Sequence, residues 1–189
     1  MKIDKRLLLA GLTVAVAALG LMSTSAASAA VWKDKGTNVA KLIEIGFSGG
    51  ENAEWEEKGV NCEIKLTMTT EGGSTGKITK FENKSCKTFG KVSTCTVATT
   101  KAEGLPWTVT VNAADLTIKN WRVKRTFNAG CATVSIDKTI PSTTFTLLSP
   151  TEIKEVEFLG ELKEAEVLKY KAFGSLTVDA PNSGTYGIG

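Results

Sequence analysis

Val60-Asn61-Cys62-Glu63-Ile64-Lys65-Leu66-Thr67-Met68 decides the fold. Apolar residues at 60, 62, 64, 66 and 68 alternate with polar ones at 61, 63, 65 and 67. A period of two over that length describes a strand with one buried and one wet face. The same alternation returns in Trp107-Thr108-Val109-Thr110-Val111 and in Trp121-Arg122-Val123-Lys124-Arg125-Thr126-Phe127. Shorter runs of strand character occupy 42–47, 77–81, 92–98, 131–136, 143–148 and 175–178. Thr and Val are abundant, and their branched β-carbons suit a pleated surface.

Turn residues separate these runs: Gly72-Gly73-Ser74-Thr75-Gly76, Gly104-Leu105-Pro106 and Pro181-Asn182-Ser183-Gly184. Strands recurring with no long helical pattern between them predict an all-β fold, an antiparallel β-sandwich or partly closed barrel. Two segments carry helical composition. Residues 52–58 are polar and acidic, enough for a turn or two of helix. Residues 153–173 are rich in Glu, Lys, Leu and Ala, but Val156/Phe158 and Leu168/Tyr170/Ala172 alternate at period two, so a hairpin is expected.

The N-terminus reads as a secretory signal peptide over 1–29. Lys2, Lys5 and Arg6 form a positive head, 7–22 carries no charge, and Ala27-Ser28-Ala29 supplies the small-x-small cleavage pattern. The uncharged run is shorter than the roughly 20 residues that span a bilayer. The chain therefore divides into a signal peptide (1–29), a flexible lead-in (30–38) and a single β-rich domain (39–189). The expected address is secreted or extracellular, with no membrane span in the mature chain. Of 23 basic and 20 acidic residues, the leader holds Lys2, Lys5, Arg6 and Asp4. The mature chain is thus nearly neutral and lacks the net field that would gather nucleic acid.

Cys62, Cys86, Cys95 and Cys131 in an exported chain fit two disulfides, for which three connectivities are possible. Phe89-Gly90 reads as a turn between Cys86 and Cys95, so proximity favours that pair and leaves Cys62 with Cys131. Cys131 is out of phase with Val134 and Ile136, which a bulge at Gly130 would repair. The spacing has no close Cys pair of the zinc type. No metal and no cofactor are expected.

The chain has no histidine, which removes Ser-His-Asp and Cys-His catalysis. Gly46-Phe47-Ser48-Gly49-Gly50 has the outline of a nucleophile elbow, but there is no histidine to take the Ser48 proton. Gly72-Gly73-Ser74-Thr75-Gly76-Lys77 resembles a phosphate-binding loop without its hydroxyl or its helix, and reads as a hairpin turn. Glu51, Glu54, Glu56 and Glu57 are the densest acidic cluster, read as a solvated loop, with a weak calcium site as the alternative. Trp107 and Trp121 share parity with core residues. Trp55 is the candidate exposed platform for stacking on a sugar ring. Arg122, Lys124 and Arg125 read together as a wet basic sheet face.

The stretch from Cys62 through Gly72-Gly73-Ser74-Thr75-Gly76-Lys77-Ile78, Cys86 and Cys95 to Gly104-Leu105-Pro106-Trp107 and Gly130-Cys131 resembles a group of secreted β-rich actinobacterial proteins. That resemblance implies an extracellular bacterial address and carries over no catalytic or binding residue. The leading functional expectation is a non-enzymatic binding or structural domain at the cell envelope or beyond, with a glycan or another envelope component as partner. The rival is a hydrolase of envelope or extracellular polysaccharide using two carboxylates. A third option, a small-ligand carrier, requires a closed barrel with an apolar cavity.

Overall fold

The computed structural model describes residues 30–131, 135–179 and 185–189. The expected signal peptide and the turn at 181–184 lie outside the described residues. Those described contain thirteen strands and no helix: β1 (Trp32–Asp34), β2 (Thr37–Asn38), β3 (Ile43–Trp55), β4 (Lys58–Thr70), β5 (Thr75–Gly90), β6 (Val97–Ala102), β7 (Trp107–Val111), β8 (Asp115–Phe127), β9 (Ser135–Ile136), β10 (Thr139–Leu147), β11 (Glu155–Glu164), β12 (Val167–Val178) and β13 (Tyr186–Ile188).

Eight strands run in the order β10-β11-β12-β3-β4-β5-β7-β8, and β8 pairs back onto β10. Every pairing is antiparallel, and the sheet closes into a barrel. Of the two all-β arrangements expected, the barrel is the one adopted. Closure follows from length: β3, β4, β5 and β8 are each 13 or 16 residues long, and a long twisted sheet buries its edges by meeting itself. β6 and β7 run the same way along β8, as one strand interrupted at Gly104-Leu105-Pro106.

An eight-stranded barrel is just wide enough for side chains to fill it. Here Trp107, Trp121, Phe81, Phe145 and Phe158 do so, with Trp121 centred 4.8 Å from Trp107, 5.7 Å from Phe158 and 6.0 Å from both Phe81 and Phe145. The core placement expected for Trp107 and Trp121 holds, at 1% and 0% exposure. Rings thus occupy the space that a small-ligand carrier would keep open.

Residues 153–173 form the expected hairpin, β11 and β12, joined at Ala165-Glu166. Residues 52–58 are a correction. They are the end of β3, a two-residue turn at Glu56-Glu57, and the start of β4. Both turns place two residues at positive φ, 46° and 64° at Glu56-Glu57 and 48° and 65° at Ala165-Glu166. That is type I′ geometry, whose twist matches the flanking strands. The usual Asn-Gly signal is absent from both, and at 52–58 local composition pointed to helix instead.

The lead-in is a second correction. β1 pairs with β2 and β13 in a small sheet, and Trp32 is wholly buried. This sheet covers one end of the barrel, with hydrogen bonds from Trp32 N to Gly73 O (3.0 Å), Ile153 N to Tyr186 O (2.7 Å) and Ile188 N to Pro150 O (2.6 Å). At the opposite end, the segment after β5 buries Val92 and Cys95.

The disulfides join Cys62 to Cys86 and Cys95 to Cys131, not the partners that proximity suggested. Register explains the difference. β4 and β5 form a hairpin about the Gly72–Gly73 turn, which sets Cys62 directly opposite Cys86. β5 continues to Gly90, so Phe89-Gly90 ends a strand and does not bring Cys86 back toward Cys95. Cys95 instead ties the segment following β5 to the one following β8.

Candidate functional site

The barrel interior changes character along its length. Toward the Glu56-Glu57 and Ala165-Glu166 turns, the rings give way to Glu51 on β3, Arg125 on β8 and Tyr170 on β12. Arg125 and Glu51 are both 0% exposed. Arg125 Nη2 donates to Glu51 Oε2, and Nη1 to the Tyr170 hydroxyl at 3.3 Å. Glu51 Oε1 and Arg125 Nε have no protein partner. Trp55 lies beside this cluster, its ring centred 6.5 Å from Tyr170 and 6.0 Å from Phe127.

Burial raises the Glu51 carboxyl above its ordinary range, and Arg125 offsets only part of this. For Arg125, burial favours the neutral form, but Glu51 and Tyr170 outweigh it and hold the guanidinium charged. The Tyr170 phenol is pushed up to about 12, chiefly by burial. A carboxylate bound to a guanidinium and shut from solvent cannot serve a substrate. The cluster is a structural ion pair.

Two expectations are corrected here. Glu51 does not belong to a solvated acidic loop, and Arg125 does not share the wet face of Arg122 and Lys124. Parity carried the signal: Glu51 is in phase with Ile45, Phe47, Ala53 and Trp55, and Arg125 with Trp121, Val123 and Phe127. A rule that charge means solvent overrode it. Trp55 obeys the same parity and is 6% exposed, so it offers no open ring face for a sugar.

The remaining sequence candidates also separate in space. Glu56 pairs with Lys58, and Glu57 with Lys91, so the acidic cluster is divided among the core, local ion pairs and the outer wall. No group of three or more His, Cys, Asp or Glu able to hold a metal occurs among the described residues. Ser48 lies inside β3 and donates to Asp179 Oδ1 at 2.5 Å. It sits in a continuous strand, without the strand-to-helix bend of a nucleophile elbow. Gly72 and Gly73, with φ of 99° and 65°, make the β4–β5 turn. A Cβ on Gly72 would come within 2.1 Å of Val39 O, which accounts for glycine there without a phosphate.

A shallow cleft of about 670 Å³ lies on the outer wall, over β10, β11, β12 and β3. Leu159 and Phe173 face each other across β11 and β12, with Thr144 and Asn52 continuing the row on either side. Gly50 leaves its floor open, with nothing within 4 Å of an added Cβ. Lys171 Nζ sits 4.5 Å from the Phe173 ring centre. Glu157 is the one carboxylate in the lining. Such a surface can hold an apolar or ring-bearing group by contact, but lacks the paired acids of glycoside hydrolysis.

The family model described as "Alkane oxidation protein activator PraA/PraB-like" matches residues 5–154, most of the chain. The protein belongs to the PraA/PraB-like family. The PraA/PraB-like match runs from residue 5 through β10 and ends before β11, so it includes both disulfides and the Arg125–Glu51 pair. No curated protein and no solved structure matches the chain.

Proposed function

We propose that this protein is an exported accessory factor that promotes alkane oxidation by cells and performs no catalytic step itself. Membership of a family described as activating alkane oxidation carries this reading. The interior supports it, since aromatic rings and an ion pair occupy the space a substrate would need. The chemistry of the candidate residues agrees, because Ser48 has no histidine partner and is tied to Asp179 within a continuous strand, and Glu51 is bound to Arg125. Export is part of the proposal, supported by the leader-like 1–29 segment and by disulfides suited to an oxidising compartment. We place the protein at the cell envelope or in the extracellular space, where cells meet a water-insoluble hydrocarbon.

The test supplies disulfide-bonded protein to washed alkane-oxidising bacteria given a liquid n-alkane, with oxygen uptake as the readout. Added protein should raise the rate, and protein plus alkane without cells should give no oxidised product. Product formed without cells, or an unchanged rate with them, would overturn the reading. N-terminal sequencing of protein recovered from the medium should begin at Ala30.

A further inference from the structure

The near-neutral total conceals a segregated surface. Residues 75–138, which build β5 to β9, hold ten Lys or Arg against four Asp or Glu once buried Arg125 is set aside. Residues 43–58 and 152–179, which build β3, β11 and β12 with their turns, hold eleven Asp or Glu against five Lys once Glu51 is set aside. In barrel order, β11-β12-β3 lie together on one side and β5-β7-β8 together on the other. Between them stand β4 and β10, and β10 carries no charged residue.

Much of this charge is uncompensated within the molecule. On the basic side Lys77, Lys84 and Lys87 of β5 and Lys119 and Lys124 of β8 enter no ion pair among the described residues. On the acidic side the same holds for Glu54, Glu155, Glu157, Glu164 and Glu166. Most of these side chains are exposed. The acidic wall also bears the cleft with Leu159 and Phe173, an apolar centre within a polar rim, as protein interfaces are built.

We propose that copies of this chain associate head to tail, the basic β5–β8 wall of one against the acidic β11-β12-β3 wall of the next. The occupant is a second copy because the two walls carry opposite net charge, and a near-zero net charge leaves no overall repulsion to keep copies apart. The walls lie on opposite sides of the barrel, so the contact is heterologous and propagates as a chain of subunits unless its rotation closes a ring.

Sedimentation velocity of the disulfide-bonded protein tests this, with one variant of each wall: Glu155→Lys with Glu157→Lys, and Lys84→Glu with Lys87→Glu. At low ionic strength the wild type should sediment as a concentration-dependent series of oligomers. In 1 M salt, where the Debye length falls to about 3 Å, it should become monomeric. Each double variant alone should lose association about tenfold or more, and an equimolar mixture of the two should regain it, because each then offers the wall the other needs. A monomeric wild type at low salt, oligomers indifferent to either reversal, or a mixture that stays monomeric would overturn the proposal. So would a monomer whose basic wall instead binds phosphatidylglycerol vesicles.

Discussion

The two halves of the barrel interior solve the same packing problem with opposite materials. Around Trp121, five aromatic side chains fill the lumen, held chiefly by exclusion from water, with the Trp107 indole N–H donated to Glu103 O. Around Arg125, a guanidinium, a carboxylate and a phenol fill it, and each needs a partner to be tolerated there. The aromatic half is held by area, so losing any piece leaves a hole. The ion-pair half is held by complementarity, so losing one member leaves a stranded charge.

The sharpest way to break this contrast is mutation of each centre. Trp121→Ala should cost about 3–5 kcal/mol through the cavity it leaves. Arg125→Ala should cost a similar ~3–5 kcal/mol because buried Glu51 loses its counter-charge. The halves part company in the double variant Glu51→Leu with Arg125→Met. It should recover most of the loss, since an incompletely satisfied buried pair replaced by apolar side chains is often neutral or stabilising. Denaturant unfolding of the single and double variants measures this. A double variant as unstable as the summed single variants would mean that the two groups are not coupled, and the contrast between the halves would fail.

The disulfides sharpen the comparison next. Removing either should cost roughly 3–4 kcal/mol by the chain-entropy relation, given separations of 24 and 36 residues. Their local effects should differ. Cys62 and Cys86 are already neighbours in the β4–β5 ladder, so replacing both by Ser should leave amide protection there largely intact. Replacing Cys95 and Cys131 should release the segment around Val92, and hydrogen exchange should rise there and in the adjoining end of β8. Non-reducing peptide mapping should recover Cys62–Cys86 and Cys95–Cys131.

The smallest expected effect belongs to Tyr170. Tyr170→Phe removes one hydrogen bond to a charged group and should cost about 1.5 kcal/mol near neutrality. Its pH signature is more specific. An unfolded tyrosine ionises near pH 10, whereas folded Tyr170 holds its proton to about 12. The folded protein therefore keeps a proton that the unfolded chain loses. The stabilisation is complete below pH 10 and disappears as pH climbs to 12, at up to about 1.4 kcal/mol per pH unit. Wild-type stability should fall more steeply than that of Tyr170→Phe across this window. Equal slopes would mean that Tyr170 is not sealed in the core.

Much of this architecture was legible residue by residue. The alternation from Val60 to Met68 marks a strand, Trp107 and Trp121 declare themselves core by parity, and the 153–173 segment alternates as a hairpin despite its helical composition. Three of the misreadings share one cause. Arg125, Glu51 and Trp55 stood in the correct phase for the interior, but chemical type was allowed to outrank phase. The turns at Glu56-Glu57 and Ala165-Glu166 escaped because tertiary pairing imposes positive φ on residues that do not favour it.

Side-chain phase is local, set by a backbone that turns each residue opposite to the last, and the chain carries that information unaided. Partnership is not local. Which cysteine faces Cys62, which carboxylate meets Arg125, and which strands stand beside one another around the barrel depend on register between segments up to 131 residues apart, as Ser48 and Asp179 are. The same closure sorts a nearly neutral composition into a basic wall and an acidic wall. Net charge is a sum over residues and is readable in one dimension, but the field at a surface depends on where the fold places them.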